Sequence, residues 1–486
     1  MKKYILLLLT LCLCFTTMAQ NDIRSQFEAY KQKRAQEYKD YREKANAAFA
    51  EYLKKRWADY KPNAAQPAPI PDVLPEPEVA PVEQPKPSTP KPLPAPKNDV
   101  ESVKDVVDKE RPSSNLPTAS NVLRVDFFGE DISVPCDKNK LPVMSIPDEQ
   151  SFSTMWQVFS SVTKPMVNNL EQYSTSHNLN GWGCYQLIKR VSEQAYDNSS
   201  PNERIALQAY LLSQLKYRAQ VGTCGSALVL LLPFKENIYE VSYLTLGSQK
   251  FYIYSYGHNQ SQGFRTYDNN FEYAQNMLSL DMNGSMKIGK SKEFEFTRLS
   301  AMLGQKLTAP MYLGNIALQY NYPILDNIVY YRQSLSSEFS NAILTPLRQK
   351  ISGKSETEAV SYLLNLVQNG FGYALDEQVF GRQKQLFIEE SFFYEQNNCK
   401  DRVGVFSWLV KELVGLDVIG LRYEGNAASD GVGHITCAVA FSQKVEGDAF
   451  TFQGKRYVMC DPTYINAGIG RTMPCYANAK PDILAL

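Results

Sequence analysis

The sequence predicts an α+β protein, and three observations predict it. Toward the C-terminus an apolar run with helical spacing, residues 399–414, is followed by two runs with strand character, residues 434–441 and 456–463. Upstream, helix-period segments at 185–194 and 203–217 precede short apolar runs bounded by Gly and Pro at 226–234, 241–246 and 250–256, the signature of an antiparallel sheet. Ahead of both regions lie a charged helical pattern and a proline-rich stretch, neither of which carries a core of its own. The expected organisation is residues 1–19, 20–61, 62–98, 99–300 and 301–486, the last two each an α+β domain.

Lys2 and Lys3 precede an apolar stretch over residues 4–15, which leads to Thr17-Met18-Ala19, a small-x-small cleavage pattern. Residues 1–19 read as a secretory signal peptide, too short to span a bilayer. Cys12 and Cys14 belong to it, and both follow leucine, which argues against lipoprotein processing. No later segment reaches the length of a membrane span. The expectation is an exported protein, periplasmic or extracellular, in a compartment that permits disulfides. Lys plus Arg equals Asp plus Glu, at 51 each, so no global basic field draws the chain to nucleic acid.

Residues 22–60 read as one long charged helix. Phe27, Tyr38, Phe49 and Tyr60 recur every eleven residues, as do Tyr30, Tyr41 and Tyr52. Eleven residues at 3.67 per turn make a nearly straight aromatic stripe. Such a stripe is buried against the protein's own body, a second copy of the helix, or a partner, for which an envelope protein is the candidate. Between Pro62 and Pro96 stand thirteen of the 27 prolines. The run favours polyproline II and reads as a semi-rigid tether, able to span on the order of 100 Å, that holds the helix apart from the globular part.

In the region 99–300, residues 122–134 read as strands around Gly129, residues 271–280 as a further helix and residues 286–288 as a last strand. This region holds a rival Cys, His and Asp in catalytic order, Cys224, His258 and Asp268. Cys224, however, leads into Ala227-Leu228-Val229-Leu230-Leu231-Leu232, a buried strand pattern with no helix terminus to favour thiolate, and His258 lies in a polar loop. His177 with Cys184 is weaker still. In the last region, residues 294–303, 313–320, 334–347 and 356–369 read as helices, and residues 387–394 are placed to line a cleft in front of Cys399.

The chemistry concentrates around Asn397-Asn398-Cys399-Lys400-Asp401-Arg402. Val403, Phe406, Leu409, Val410, Leu413 and Val414 recur at helical spacing, Gly415 sits where a helix stops, and Asn397 or Asn398 can cap its start. Cys399 therefore falls in a first helical turn, where backbone N–H groups and the helix dipole favour the nucleophilic thiolate. His434 opens one strand pattern and Asp461 closes the other. Antiparallel pairing lets Asp461 hold one imidazole nitrogen while the other addresses Cys399.

Cys399-Lys400-Asp401, Gly433-His434 and Asp461-Pro462-Thr463, in that order on helix, strand and strand, resemble the transglutaminase-like superfamily of papain-type cysteine enzymes, over roughly residues 355–474. The family often has Gly-Asp before the cysteine, where this chain has Asn397-Asn398. Phe371-Gly372-Tyr373 is similar to the segment that precedes the family's active-site loop. The resemblance implies a C-terminal domain with a helix-borne cysteine packed on an antiparallel sheet. It also implies an oxyanion-hole side chain upstream of the cysteine, for which Gln383, Gln385 and Tyr394 are the candidates. The hairpin between His434 and Asp461 is long, with Gly447 and Gly454 as turn residues.

The implied reaction is acyl transfer to or from a protein or peptide through a thioester on Cys399, with His434 as base and Asp461 as orienter. Water as acceptor gives hydrolysis, the outcome favoured by exported bacterial relatives; a lysine amine gives cross-linking. A third reading keeps the fold as a noncatalytic envelope binding protein, with each of the three residues in a structural role. If His434 opposes Asp461, Ile435 opposes Cys460, and Cys437 is its diagonal neighbour on the face away from the site, as a buried thiol pair or a disulfide. Seven cysteines remain after the signal, an odd number that leaves at least one thiol unpaired in a monomer. No histidine pair or Cys-x-x-Cys spacing occurs, so neither a metal nor a cofactor is expected.

Overall fold

Two antiparallel sheets, one of six strands and one of five, packed among helices make the chain a mixture of helix and sheet. The structure is a computed structural model. It describes residues 29–34, 36–37, 39–55, 57–69, 73–74, 76–81, 121–196, 200–255, 263–282, 284 and 286–486. Residues 1–28, which include the expected signal peptide, residues 82–120 and His258 lie outside the described residues.

The six-stranded sheet runs in the spatial order Ala58–Tyr60, Phe264–Thr266, Gln220–Cys224, Ala227–Leu232, Gln249–Tyr254, Tyr243–Leu246. Tyr60 pairs with Phe264 at one edge, and Asn63 exchanges both backbone hydrogen bonds with Tyr243 at the other. The same short segment thus meets both edges, and the sheet curls on itself. Its centre explains the unbroken apolar run of Ala227–Leu232. Leu228, Leu230 and Leu232 join the main core against the helices, while Val229 and Leu231 join Phe251, Ile253 and Phe264 in a separate inner cluster. A strand buried on both faces has no polar positions to alternate.

Helices Glu149–Val162, Lys164–Ser176, Gly181–Ala195 and Pro201–Gln214 cover this sheet together with the hairpin Val122–Phe127 and Glu130–Pro135. Residues 271–280 and 286–288 are irregular rather than helix and strand. Asn276 and Leu278 make isolated bridges to Tyr217 and Phe234, and Asn315 satisfies Met286 O and the Ile288 N–H from its side chain. Residues 294–303 divide into the strand Ser291–Glu295, paired with Thr308–Tyr312, and the short helix Thr297–Leu303. Helices Ser337–Ile351 and Glu356–Gly370 follow, the second opened by a reciprocal Ser355–Glu358 capping box.

The N-terminal helix ends at residue 53, short of the expected 60, and docks on the protein's own body. Ala45, Phe49, Ala50 and Leu53 are buried at helical spacing, and Phe49 packs against Trp156, Tyr267 and Phe271. Buried Asn46 accepts hydrogen bonds from Trp156 Nε1 at 2.9 Å and Gln214 Nε2 at 3.0 Å. The aromatic stripe is not one buried seam. Tyr30 and Tyr41 are exposed, Tyr60 is in a strand, and Phe27 and Tyr38 lie outside the described residues.

Nor do the first prolines hold the helix apart as a tether. Gln66 O accepts from Glu240 N–H at 2.7 Å, Pro69 O from Arg422 Nη1 at 3.4 Å, and Leu74 O from the Tyr373 hydroxyl at 2.5 Å. Glu78 O then accepts from Ile465 N–H at 2.9 Å, and Ala80 N–H donates to Ile465 O at 2.8 Å. Residues 61–69, 73–74 and 76–81 form a strap from the curled sheet to the five-stranded one. Proline's missing N–H is no handicap here, because the strap offers mainly carbonyls.

The five-stranded sheet has the order Ala449–Phe452, Lys455–Cys460, His434–Val439, Val418–Tyr423, Asp482–Ala485. One face packs on the helix Cys399–Val414, the other on residues 464–476, where Tyr464, Met473 and Tyr476 are buried with Leu421 and Tyr423. Cys437 opposes Cys460 directly, two residues away from the expected register. A shift of two keeps every side chain on its face. The pair faces the cysteine helix rather than away from it, sharing a buried cluster with Val403, Phe406 and Val410. The Cys437 thiol donates to Cys460 O at 3.1 Å, and both thiols are free. Gly454 is the hairpin turn, whereas Gly447 serves a close crossing, since a Cβ there would meet Gly470 Cα at 2.4 Å.

Candidate functional site

Cys399 is the first residue of its helix, and buried polar groups fix that turn. Asp401 Oδ2 accepts the Asn398 N–H at 3.1 Å, and its Oδ1 accepts the Leu386 N–H at 2.9 Å. Asp376 gathers Asn398 Nδ2 at 2.8 Å, Lys400 Nζ at 2.5 Å and the Lys384 N–H at 3.1 Å. The two charged residues after the cysteine are thus interior anchors. Burial pushes the Asp401 carboxyl up to about 7. Burial opposes the Lys400 ammonium, but the charges of Asp376 and Asp401 outweigh it and raise its pKa. At the far end Gly415, with φ +76, bonds back to the carbonyls of Val410 and Lys411.

Arg402, 1% exposed, holds the surrounding chain by its fork. Nε donates to Asn397 Oδ1 at 3.0 Å, Nη1 to Gln368 O at 3.2 Å and Nη2 to Phe371 O at 3.1 Å, and the guanidinium lies over the Tyr373 ring at 5.4 Å. Burial lowers its pKa to about 10.

His434 and Asp461 meet at 2.8 Å through Nε2 and Oδ2. Asp461 Oδ1 accepts the N–H groups of Thr463 at 2.8 Å and Tyr464 at 3.2 Å, an Asx turn that fixes the carboxylate plane. Gln368 Nε2 braces the same turn through Asp461 O at 2.9 Å, Tyr464 O at 2.8 Å and Ala467 O at 3.0 Å. Tyr476 stacks on the imidazole, with centroids 5.4 Å apart and planes 20° apart. The buried Nδ1 takes no hydrogen-bond partner, and the Cys399 thiol is an electrostatic neighbour of the ring. Burial acts to lower the imidazole pKa. The charge and hydrogen bond of Asp461, with the neighbouring Cys399, overcome it and raise the value to about 10.

The structure therefore brings Cys399, His434 and Asp461 together, and it encloses them at 0%, 1% and 2% exposure. Of the three upstream candidates, Gln385 is the one near them. Its Oε1 accepts from Asn327 Nδ2 at 2.7 Å, its Nε2 is buried without a partner, and its amide neighbours the Tyr331 hydroxyl, as does the Cys399 thiol. Gln383 instead donates to Glu377 Oε1 at 2.6 Å at the surface. Tyr394 packs between Phe380 and Phe393 beside Glu390, away from the thiol.

Residues 387–394 do not line a cleft. The helix Ile388–Tyr394 is wholly buried, with Phe392 among Phe296, Phe339, Phe371 and Trp408 and with Glu390 paired to Lys384. In the rival set Cys224 closes a strand and Asp268 accepts from the Tyr52 hydroxyl at 2.6 Å. His177 stacks on Tyr173 and faces Glu130. Two clefts, of about 600 Å³ beside Arg218 and Lys235 and about 550 Å³ beside Arg42 and Lys164, touch none of the three site residues.

Sequence reasoning missed Gln368, Arg402, Tyr373 and Tyr476. Gln368 was visible as a polar residue continuing the apolar stripe of Leu363, Leu364 and Val367, and Arg402 as a charge beside the first core positions of an apolar helix. Tyr373 is placed before the active-site loop by resemblance, without its bond to the strap, and Tyr476 carries no sequence signal of its role. The chain matches no protein-family model, and no curated protein matches it. Among the described residues no helix is long and apolar enough to cross a membrane.

Proposed function

We propose that the chain is an exported cysteine hydrolase of peptide or amide bonds, with a transglutaminase-like C-terminal domain. The observation that carries the reading is one imidazole held by a carboxylate at Nε2, with its buried Nδ1 unpartnered and a helix-borne thiol among the neighbours of the ring. A structural histidine satisfies both nitrogens with backbone or solvent. One that keeps a nitrogen for a thiol has the arrangement that nucleophilic catalysis needs.

In this reading His434 Nδ1 already holds the proton drawn from Cys399, and the sulfur adds to the substrate carbonyl carbon. The oxyanion is met by the Cys399 backbone N–H and Gln385 Nε2. The C–N bond breaks as His434 protonates the leaving amine. His434 then takes a proton from water, whose oxygen displaces the sulfur and releases the acid; the ring keeps that proton and the sulfur leaves as thiolate. Asp461 keeps the ring oriented and carries no proton itself. Water as acceptor and the exported location follow from the resemblance and the signal pattern.

The test is iodoacetamide labelling of the native chain across pH, with the modified cysteines mapped. The expected outcome is labelling of Cys399 below neutral pH that His434→Ala abolishes. Labelling that begins only near about pH 8 to 9, where ordinary thiols titrate, and is indifferent to His434 would leave a noncatalytic binding protein.

A further inference from the structure

A substrate carbonyl must touch Cys399 Sγ, yet all three site residues are enclosed, and the strap lies on what encloses them. On the cysteine side its Leu74 carbonyl is held by the hydroxyl of Tyr373, whose ring lies under Arg402 and whose backbone pairs with Asn397, two residues before Cys399. On the histidine side, Glu78 and Ala80 pair with Ile465, just beyond the turn that Asp461 makes. Leu74 and Ala80 pack against the cluster of Tyr464, Met473 and Tyr476, and Tyr476 is the ring stacked on His434. The Glu78 carboxylate neighbours Cys475 and Tyr476. One segment thus bonds to Tyr373 on the cysteine side, packs on the cluster that holds Tyr476, and pairs with the chain just after the carboxylate.

The attachment is light. Among the described residues past Pro69 it comprises three main-chain hydrogen bonds, a 3.9 Å contact from the Cys475 thiol to the Glu78 carboxylate, and half-buried side chains at residues 73, 74, 77, 78 and 80, while Val79 is 58% exposed. Extended backbone adding itself beside a chain edge is how peptides are commonly bound, with main-chain bonds for affinity and side-chain pockets for selection.

We propose that residues 73–74 and 76–81 are an internal occupant of the substrate groove. They hold the cysteine site latent, and they mark its substrate as an extended, proline-tolerant peptide that pairs with Ile465 and sets an apolar side chain where Leu74 sits. This inference rests on the hydrolase reading for the word substrate, and on geometry alone for the cover.

The test uses the full chain. Ala80→Pro removes the N–H given to Ile465 O, and Leu74→Asp removes the apolar anchor. Each is expected to speed iodoacetamide labelling of Cys399 about five-fold or more, the opening that loss of one backbone hydrogen bond permits. Buried Cys437 and Cys460 must remain unlabelled. If they react as well, the variant has unfolded, and Leu74→Ala, which only trims the anchor, decides instead. A peptide with the sequence of residues 73–81, added to the opened variant, is expected to restore protection. An unchanged Cys399 rate in the folded variants overturns the cover, and failure of the peptide to protect overturns the groove. Adding His434→Ala to the opened variant separates the two readings. Fast labelling with no dependence on His434 leaves the strap as a cover and removes the hydrolase.

Discussion

At the scale of single residues, His434 carries the most consequence, because burial and its neighbours pull its proton affinity in opposite directions. Burial favours the neutral ring, while Asp461 and Cys399 favour the imidazolium and prevail, lifting the pKa from 6.5 to about 10. A raised value means that the charged ring adds stability that is complete below about pH 6.5 and lost as pH rises through about 10. Asp461→Asn removes the main source of that charge preference. The native chain is therefore expected to lose on the order of a few kcal/mol between those limits relative to Asp461→Asn, measured by urea titration at each pH. Parallel curves for the two chains would contradict the assignment. None of this balance is visible in the sequence, which offers a histidine and an aspartate at strand ends and says nothing about how deeply they are enclosed.

At the scale of elements, the site depends on how the turn after Asp461 is braced by a neighbouring helix. The two amide hydrogens of Gln368 serve three buried carbonyls of that turn. Gln368→Leu takes that donor from Asp461 O and Ala467 O and leaves Tyr464 O with the Ala467 N–H alone, and the expected cost is about 3 kcal/mol of unfolding free energy by urea titration, together with a lower turnover if the proposed hydrolysis is the activity. A folded variant with unaltered stability and turnover would show that the turn holds its own shape. The helices were legible wherever apolar residues kept a 3.6 period through a long run, as in Cys399–Val414 and Glu356–Gly370. The two-residue register error at Cys437 and Cys460 arose because Asp461 stands beyond the last paired residue and reaches back to His434 through an Asx turn, not across the ladder. Residues 271–280 have an apolar pattern that tertiary bridges satisfy instead of a helix. Ala58–Tyr60 reads as the end of a charged helix and becomes a strand because the edge at Phe264–Thr266 is there to pair with it. Both cases are local preference overruled by distant partners.

At the scale of the whole molecule, the N-terminal helix and the described part of the proline-rich segment, which ends at residue 81, belong to the folded body. Phe49 is the helix's main apolar anchor, and Phe49→Ala is expected to cost about 3 kcal/mol or more, read from thermal or urea unfolding. A change within error would mean that the docked face contributes little and that the stripe serves a partner. Composition foretold an extended proline segment; its destination depends on carbonyl acceptors meeting donors from Arg422, Tyr373 and Ile465, a complementarity that no local pattern encodes. That pairing joins an early stretch of the chain to one near its far end. During synthesis Val79 emerges long before Ile465 exists, so the cover cannot close on a nascent chain, and each molecule becomes guarded only once the chain beyond Asp461 has been made.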